Sequence, residues 1–229
     1  MADIIFILDS SGSINDADPG NWVRVLTFVK DVVAKFGTSG GNRFALVRFS
    51  DVANVEFLLD AYTDLNELYR RIDNVAYYGG RTNIAHGFEV ALADVVGKNG
   101  DRPNAPNIVI LITDGIPNER EGDTIPEAAR MKDPRVGNAR VLSVGITNAV
   151  DMDLLRAIAS DPVDDVVTAD DFNELTTIID GLVGAACPTP APTPRPTPTP
   201  IPCKYSVIYI FPCCKQFSLS MREGKRIKV

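Results

Sequence analysis

What the chain has little of narrows it first. Its 229 residues hold four cysteines, one histidine and one tryptophan. The cysteines are Cys187, Cys203, Cys213 and Cys214, so residues 1–186 must fold without a disulfide among themselves. Their spacing fits no zinc motif, and the lone His86 is distant in sequence. No apolar run reaches the ~20 residues of a membrane-spanning helix. No secretory leader precedes the first strand, which starts directly after Met1; either the protein is cytosolic or this chain lacks its natural start. Phosphate-cradling Gly-x-x-x-x-Gly-Lys, the Gly-x-Ser-x-Gly nucleophile turn and the dinucleotide fingerprint are all absent. Positive charge is scarce where it would matter for nucleic acid. From Cys187 onward seven Lys/Arg face Glu223 alone, a balance of +6. The total is −7, which leaves −13 on the part before Cys187. An acidic domain repels phosphate backbones and suits a cation or a basic partner.

What is present is the pattern of one α/β domain. The composition, 45% hydrophobic and 23% charged, is that of an ordinary globular protein. Strands are predicted over Asp3–Asp9, Arg43–Ser50, Val55–Asp60, Asn107–Thr113, Arg140–Ile146 and Val163–Thr168. Most are unbroken apolar runs, as expected for a parallel sheet covered on both faces. The connection between Arg43–Ser50 and Val55–Asp60 is too short for a parallel crossover, so these two form a hairpin with an antiparallel edge strand. Between the strands, 3.6-residue periodicity predicts helices over Asn21–Phe36, Asn83–Val96 and Asp171–Val183, the last capped by Asp170 or Asp171. Shorter helices are expected at Leu65–Asp73, Asp151–Ser160 and near Ile125–Met131. Trp22 lies on the apolar stripe of the first helix and reads as core. The fold class is thus doubly wound α/β, mostly parallel, with helices on both faces.

Three segments divide the chain: a domain over 1–186, a Pro/Thr-rich linker over 187–203 and a tail of uncertain nature over 204–229. In the linker proline takes nearly every second position, which forbids helix and sheet and favours an extended spacer of roughly 45–50 Å. Thr alternating with Pro suits either an O-glycosylated stalk or a plain rigid linker. Such a spacer holds Cys187 and Cys203 apart and disfavours a bond between them.

The chemistry sits at strand ends. Ile4-Ile5-Phe6-Ile7-Leu8 runs into Asp9-Ser10-Ser11-Gly12-Ser13. In open α/β sheets ligands bind beyond the carboxyl ends of the strands. Asp9, Ser11 and Ser13 offer hard oxygens at alternate positions, a donor set that suits Mg²⁺, Mn²⁺ or Ca²⁺ and not zinc. A polar loop capping the next helix is the plain alternative. Two further segments converge on it. Tyr78-Gly79-Gly80-Arg81-Thr82-Asn83 permits a tight turn and presents a hydroxyl at a helix start. Ile108–Thr113 is a buried strand ending in Asp114-Gly115. If it lies beside Asp3–Asp9, Asp9 and Asp114 flank one crevice.

Asp-x-Ser-x-Ser, Gly-Gly-x-Thr and Thr-Asp-Gly, in that order, resemble the metal-ion-dependent adhesion site of the von Willebrand factor type A domain family. The resemblance covers roughly Asp3 to Ala185 and implies a central six-stranded sheet with one short antiparallel edge strand. It implies that Ser11 and Ser13 bind Mg²⁺, or Mn²⁺, through hydroxyls, Thr82 directly when ligand is present, and Asp9 and Asp114 mainly through water. Ser10, Gly12, Gly79, Gly80 and Gly115 would shape the loops. Arg81 is a candidate ligand contact or a solvated loop residue; His86 receives no role. A Glu or Asp of a protein ligand, collagen or another matrix protein, would complete the metal shell. Secreted members often pair a Cys before the first strand with one after the last helix. Cys187 fits the second position, but Met1-Ala2-Asp3 offers no first partner, so the start reads as truncated. The segment after Asp114 has no room for the extra helix of collagen-binding integrins, which points to matrix-type modules such as matrilins and collagen VI. The expected function is non-enzymatic, extracellular adhesion, with no nucleic acid and no membrane span. Alternatives are an intracellular assembly module of the same fold, a structural domain with an idle site, and an aspartyl phosphoryl-transfer enzyme. The last lacks a lysine in the three loops.

Overall fold

In the computed structural model, residues 1–38 and 40–186 are described. The linker and tail expected at 187–203 and 204–229, with all four cysteines, lie outside the described residues. The elements are β1 (Asp3–Asp9), α1 (Ser13–Asp16), α2 (Asn21–Phe36), β2 (Arg43–Phe49), β3 (Ala53–Phe57), α3 (Leu65–Asp73) and α4 (Ile84–Asp94). There follow β4 (Asn107–Thr113), α5 (Glu121–Lys132), β5 (Ala139–Ile146), α6 (Met152–Ile158), β6 (Val166–Ala169), a 3₁₀ turn (Leu175–Ile178) and α7 (Ile179–Ala186). The sheet order is β3-β2-β1-β4-β5-β6. Only β3 runs antiparallel.

The unbroken apolar run of β1 is explained by its central place. Side chains alternate across a strand, and here both faces are covered. Ile4, Phe6 and Leu8 pack with α2, α3 and α7 through Val25, Val29, Leu68, Ile72 and Leu182. Ile5 and Ile7 pack on the opposite face with α4 and α5 through Ile84, Phe88, Ala91, Ala128 and Met131. Trp22 is buried as expected, and its indole N–H donates to the Val75 carbonyl at 3.0 Å. Gly87 lets α4 sit close to the sheet: a Cβ there would lie 2.8 Å from Ile7 Cγ2 and 3.1 Å from the Phe49 ring.

The exposed edge of β3 is blunted by side chains. His86 Nδ1 accepts from the Ala53 N–H, and Arg71 donates to the Glu56 carbonyl. Filling outward-facing backbone groups in this way removes a template for further pairing.

Several boundaries differ from those expected. β3 covers Ala53–Phe57 rather than Val55–Asp60, because the chain turns after Phe57 with the Ala61 N–H bonding to the Leu58 carbonyl. Leu59 is buried from that turn and not from a strand. β6 starts at Val166 rather than Val163: the Asp161 carboxylate accepts from the Val163 and Asp164 N–H groups and curls that stretch. α5 begins at Glu121 and absorbs Pro126. The single helix expected over Asp171–Val183 is instead a turn, a 3₁₀ segment and α7. Asp171 does the capping, accepting from the Asn173 and Glu174 N–H groups, but it closes a turn before Leu175. The short α1 was not foreseen.

Candidate metal centre

β1 and β4 are neighbours in parallel register, with Leu8 opposite Ile112, so their carboxyl ends release the first and third loops side by side. The second loop, Tyr77–Asn83, joins them through the backbone. The Gly79 N–H donates to the Ser10 carbonyl at 2.9 Å and the Gly12 N–H to the Gly80 carbonyl at 3.0 Å. Gly79 and Gly80 have φ of +71° and +89°, a region costly for other residues. A Cβ on Gly80 would also strike the Asp51 carboxylate.

The structure brings the expected oxygens together. Ser11 Oγ lies 3.1 Å from Ser13 Oγ, and Ser13 Oγ donates to Asp114 Oδ1 at 2.7 Å. The α-carbon side of Gly115 faces this group: a Cβ there would lie 3.6 Å from Ser13 Oγ and 3.9 Å from Thr82 Oγ1. Asp9 is held from two sides, Oδ1 accepting from the Ser11 N–H at 2.8 Å and Oδ2 from the Thr113 hydroxyl at 2.6 Å. Asp9, Ser11, Thr82 and Asp114 are all buried. Ser10 points away from the crevice and donates to the Phe49 carbonyl at 2.9 Å.

Electrostatically the centre is short of positive charge. Burial pushes the Asp9 carboxyl up to about 7, against the lowering effect of its hydrogen bonds to Thr113 and Ser11, and the nearby Asp114 raises it further. Burial likewise raises Asp114, opposed by the bond from Ser13. No hydrogen bond from a Lys or Arg reaches either carboxylate among the described residues. Two converging buried carboxylates without a basic partner fit a cation, since a buried charge must be compensated. The set is also unlike a Cys/His site: among the described residues no three His, Cys, Asp or Glu cluster as a metal cage.

Three residues escaped the sequence reading. Thr113 was read only as part of a motif, yet it orients Asp9. Asn118 clamps Thr82 reciprocally: its Oδ1 accepts from the Thr82 N–H at 2.8 Å and its own N–H donates to the Thr82 carbonyl at 3.0 Å. Tyr77 braces the first loop, its hydroxyl lying 3.0 Å from the Ser11 carbonyl and 3.1 Å from that of Gly12. Arg81 is exposed as expected, but its guanidinium is paired with Glu119.

A model of the von Willebrand factor type A domain matches residues 3–181. The chain belongs to that family. Among curated relatives, cuticlin-6 of Caenorhabditis elegans is 28% identical over 82% of this chain and 31% of its own length. Human matrilin-4 is 31% identical over 81% of this chain and 29% of its own. The human collagen alpha-6(VI) chain is 31% identical over 81% of this chain and 8% of its own. The chain therefore spans under a third of the length of these relatives. The likeness to matrilins and collagen VI read from the sequence holds. Among solved structures, proximal thread matrix protein 1 from the mussel byssus superposes with a TM-score of 0.76 and 29% identity, over 82% of this chain and 48% of that one. A second structure of that protein, at TM-score 0.73 and 30% identity over 81% and 46%, has a zinc-occupied adhesion motif. Softness of the metal is thus no bar to zinc in that relative, against the simple hard-oxygen argument.

Proposed function

We propose that this von Willebrand factor A domain is a metal-dependent protein-binding module that engages a Glu or Asp of a matrix or cell-surface protein. The observation that carries the proposal is the convergence of Ser11, Ser13, Asp9 and Asp114, with Thr82 facing Gly115, at the ends of two adjacent parallel strands without a basic partner. Hydroxyl and carboxylate oxygens suit Mg²⁺, or Mn²⁺ of similar demand, and that is the cation proposed here.

Ser11, Ser13 and Thr82 would hold the ion through hydroxyls, and Asp9 and Asp114 would balance its charge mainly through water. Both oxygens of Asp9 are already hydrogen-bond acceptors, which keeps that carboxylate back against the sheet. Held there, such an ion would offer an electrophile to a ligand carboxylate. Neutral hydroxyls leave that electrophile less quenched than direct carboxylates would. Asn118 and Glu119 hold the Thr82 backbone, so the second loop meets the ligand in a fixed place.

This chemistry is recognition and not turnover: no lysine or activated nucleophile lies in the three loops. Extracellular action is the setting assigned, supported by matrix proteins among the relatives and by the Pro/Thr composition of residues 187–203, read as a spacer after the domain. No helix among the described residues is long and apolar enough to cross a membrane. The test is calorimetric titration of Mg²⁺ and Mn²⁺ into metal-stripped full chain, beside Asp9→Ala and Asp114→Ala. Binding in the parent lost in both folded variants, together with chelator-sensitive capture on immobilised fibrillar collagen or on a carboxylate-bearing peptide surface, supports the proposal. A folded parent that takes up neither ion overturns it.

A further inference from the structure

Two of the three loops rest on one buried cation. Arg48 lies on β2, opposite Leu8 of β1, and is 2% exposed. A buried guanidinium is costly unless its charge and its donors are met. Its Nε donates to Glu56 Oε1 at 2.8 Å, while Arg71 donates to Oε2 of the same carboxylate at 2.6 Å. Its Nη1 reaches Ser10 Oγ at 3.3 Å. The guanidinium carbon Cζ lies over the Tyr78 ring, 3.8 Å from its centroid. Ser10 stands between Asp9 and Ser11 in the first loop. Tyr78 stands directly before the glycine pair of the second, and its side chain is otherwise open to solvent, at 66% exposure.

The second loop turns through two positive-φ glycines before it delivers Thr82. Its backbone bonds to the first loop fall at Gly79 and Gly80. Stacking of Tyr78 on a fixed cation adds a side-chain anchor just before that turn.

We infer that Arg48 and Tyr78 are positioning residues: the guanidinium, locked by Glu56, ties the first loop at Ser10 to the second at Tyr78 and so sets Thr82 against Ser11 and Ser13. Its bearing on the metal rests on the function proposed above; the tying of the loops does not. Charge and geometry give opposite signs. A positive charge near a cation site weakens cation binding, so removing Arg48 for its charge alone would tighten binding. Removing it as an anchor loosens binding.

The experiment uses the full chain and the variants Tyr78→Ala, Tyr78→Phe and Arg48→Met. Hydrogen exchange is read over residues 75–83 in chelator, and Mn²⁺ affinity is read by calorimetry. Tyr78→Ala and Arg48→Met are expected to speed exchange of that loop about fivefold and to weaken Mn²⁺ by a similar factor, with β1 and β4 unchanged. Tyr78→Phe, which keeps the ring, is expected to match the parent. Since Tyr78 is exposed, its variants fold even if Arg48→Met does not, and they then decide the matter. Unchanged loop exchange in Tyr78→Ala, or tighter Mn²⁺ in folded Arg48→Met, overturns the inference. A parent without Mn²⁺ affinity would remove the proposed function, while the exchange arm would still decide whether the two loops are tied.

Discussion

Thr113→Val removes the hydroxyl that holds Asp9. In the parent the Thr113 hydroxyl donates to Asp9 Oδ2 at 2.6 Å inside a fully buried site. Valine keeps nearly the same shape and removes the donor. A hydrogen bond to a charged group contributes about 1.5–3 kcal/mol, which is about 1–2 pKa units. The Asp9 carboxyl, already pushed up to about 7 by burial, would rise to about 8–9 in the metal-free variant. A cation needs the carboxylate, so the proton competes with it. At pH 7 the ionised fraction falls from about half to between about one and ten per cent, and affinity for Mg²⁺ drops about five- to fiftyfold. By pH 9.5 the two proteins converge. The stability sign follows from the same shift. The folded pKa lies above the unfolded 3.8. The contribution of neutral Asp9 is therefore complete below that value and lost as pH climbs through about 7, or through about 8–9 in the variant. The assay is calorimetry in Mg²⁺ from pH 6 to 9.5 with melting curves in chelator. Superimposable affinity–pH curves would refute the argument. A loss of equal size at every pH would assign the effect to loop geometry, since the Gly115 N–H also leans on the Thr113 hydroxyl at 3.3 Å.

Other substitutions test separate parts. Gly87→Ala places a methyl 2.8 Å from Ile7 Cγ2, and should cost about 1–3 kcal/mol in chelator, read as a lowered melting temperature. A melting point equal to the parent's would mean that α4 does not sit so close to the sheet. Asn118→Ala strands the Thr82 N–H at a site 4% exposed and should cost about 1–3 kcal/mol along with Mg²⁺ affinity, whereas Asn118→Asp, which keeps the acceptor, should recover most of the stability. Equal melting of both variants would count against the clamp. Arg81→Gln breaks a pair whose guanidinium is 65% exposed, so stability should change by less than about 0.5 kcal/mol; a larger drop on melting would give Arg81 a structural role.

The fold was legible because its main signal is redundant. β1 and β4 are apolar at every position from Ile4 to Leu8 and from Ile108 to Ile112, which only a strand covered on both faces tolerates. α2 shows its stripe over sixteen residues and was placed with both ends correct. Errors gathered where a short side chain diverts the backbone. Asp161 and Asp171 each accept from N–H groups two and three residues on, and those local bonds outbid the strand expected from Val163 and the helix expected from Asp171. Hydrophobic pattern carries no trace of such a bond, since Val163 reads as a strand residue whether or not Asp161 curls the chain.

The site divides in the same way. Its oxygens could be read because Asp9, Ser11 and Ser13 are adjacent, and because Asp114 and Thr82 sit at strand and helix ends where a ligand crevice must form. The residues that set those oxygens could not. Thr113 meets Asp9 across 104 positions, Asn118 meets Thr82 across 36, and Arg48 meets Ser10 across 38. Each bond exists only after β1, β2 and β4 are brought side by side. The donor set is thus a local property of loops, whereas its geometry and charge state belong to the sheet. A loop grafted with the same Asp-x-Ser-x-Ser onto another strand end would keep the oxygens. It would lose the hydroxyl that holds Asp9 back and the clamp that holds Thr82 in place, and with them the geometry that the proposed cation site requires.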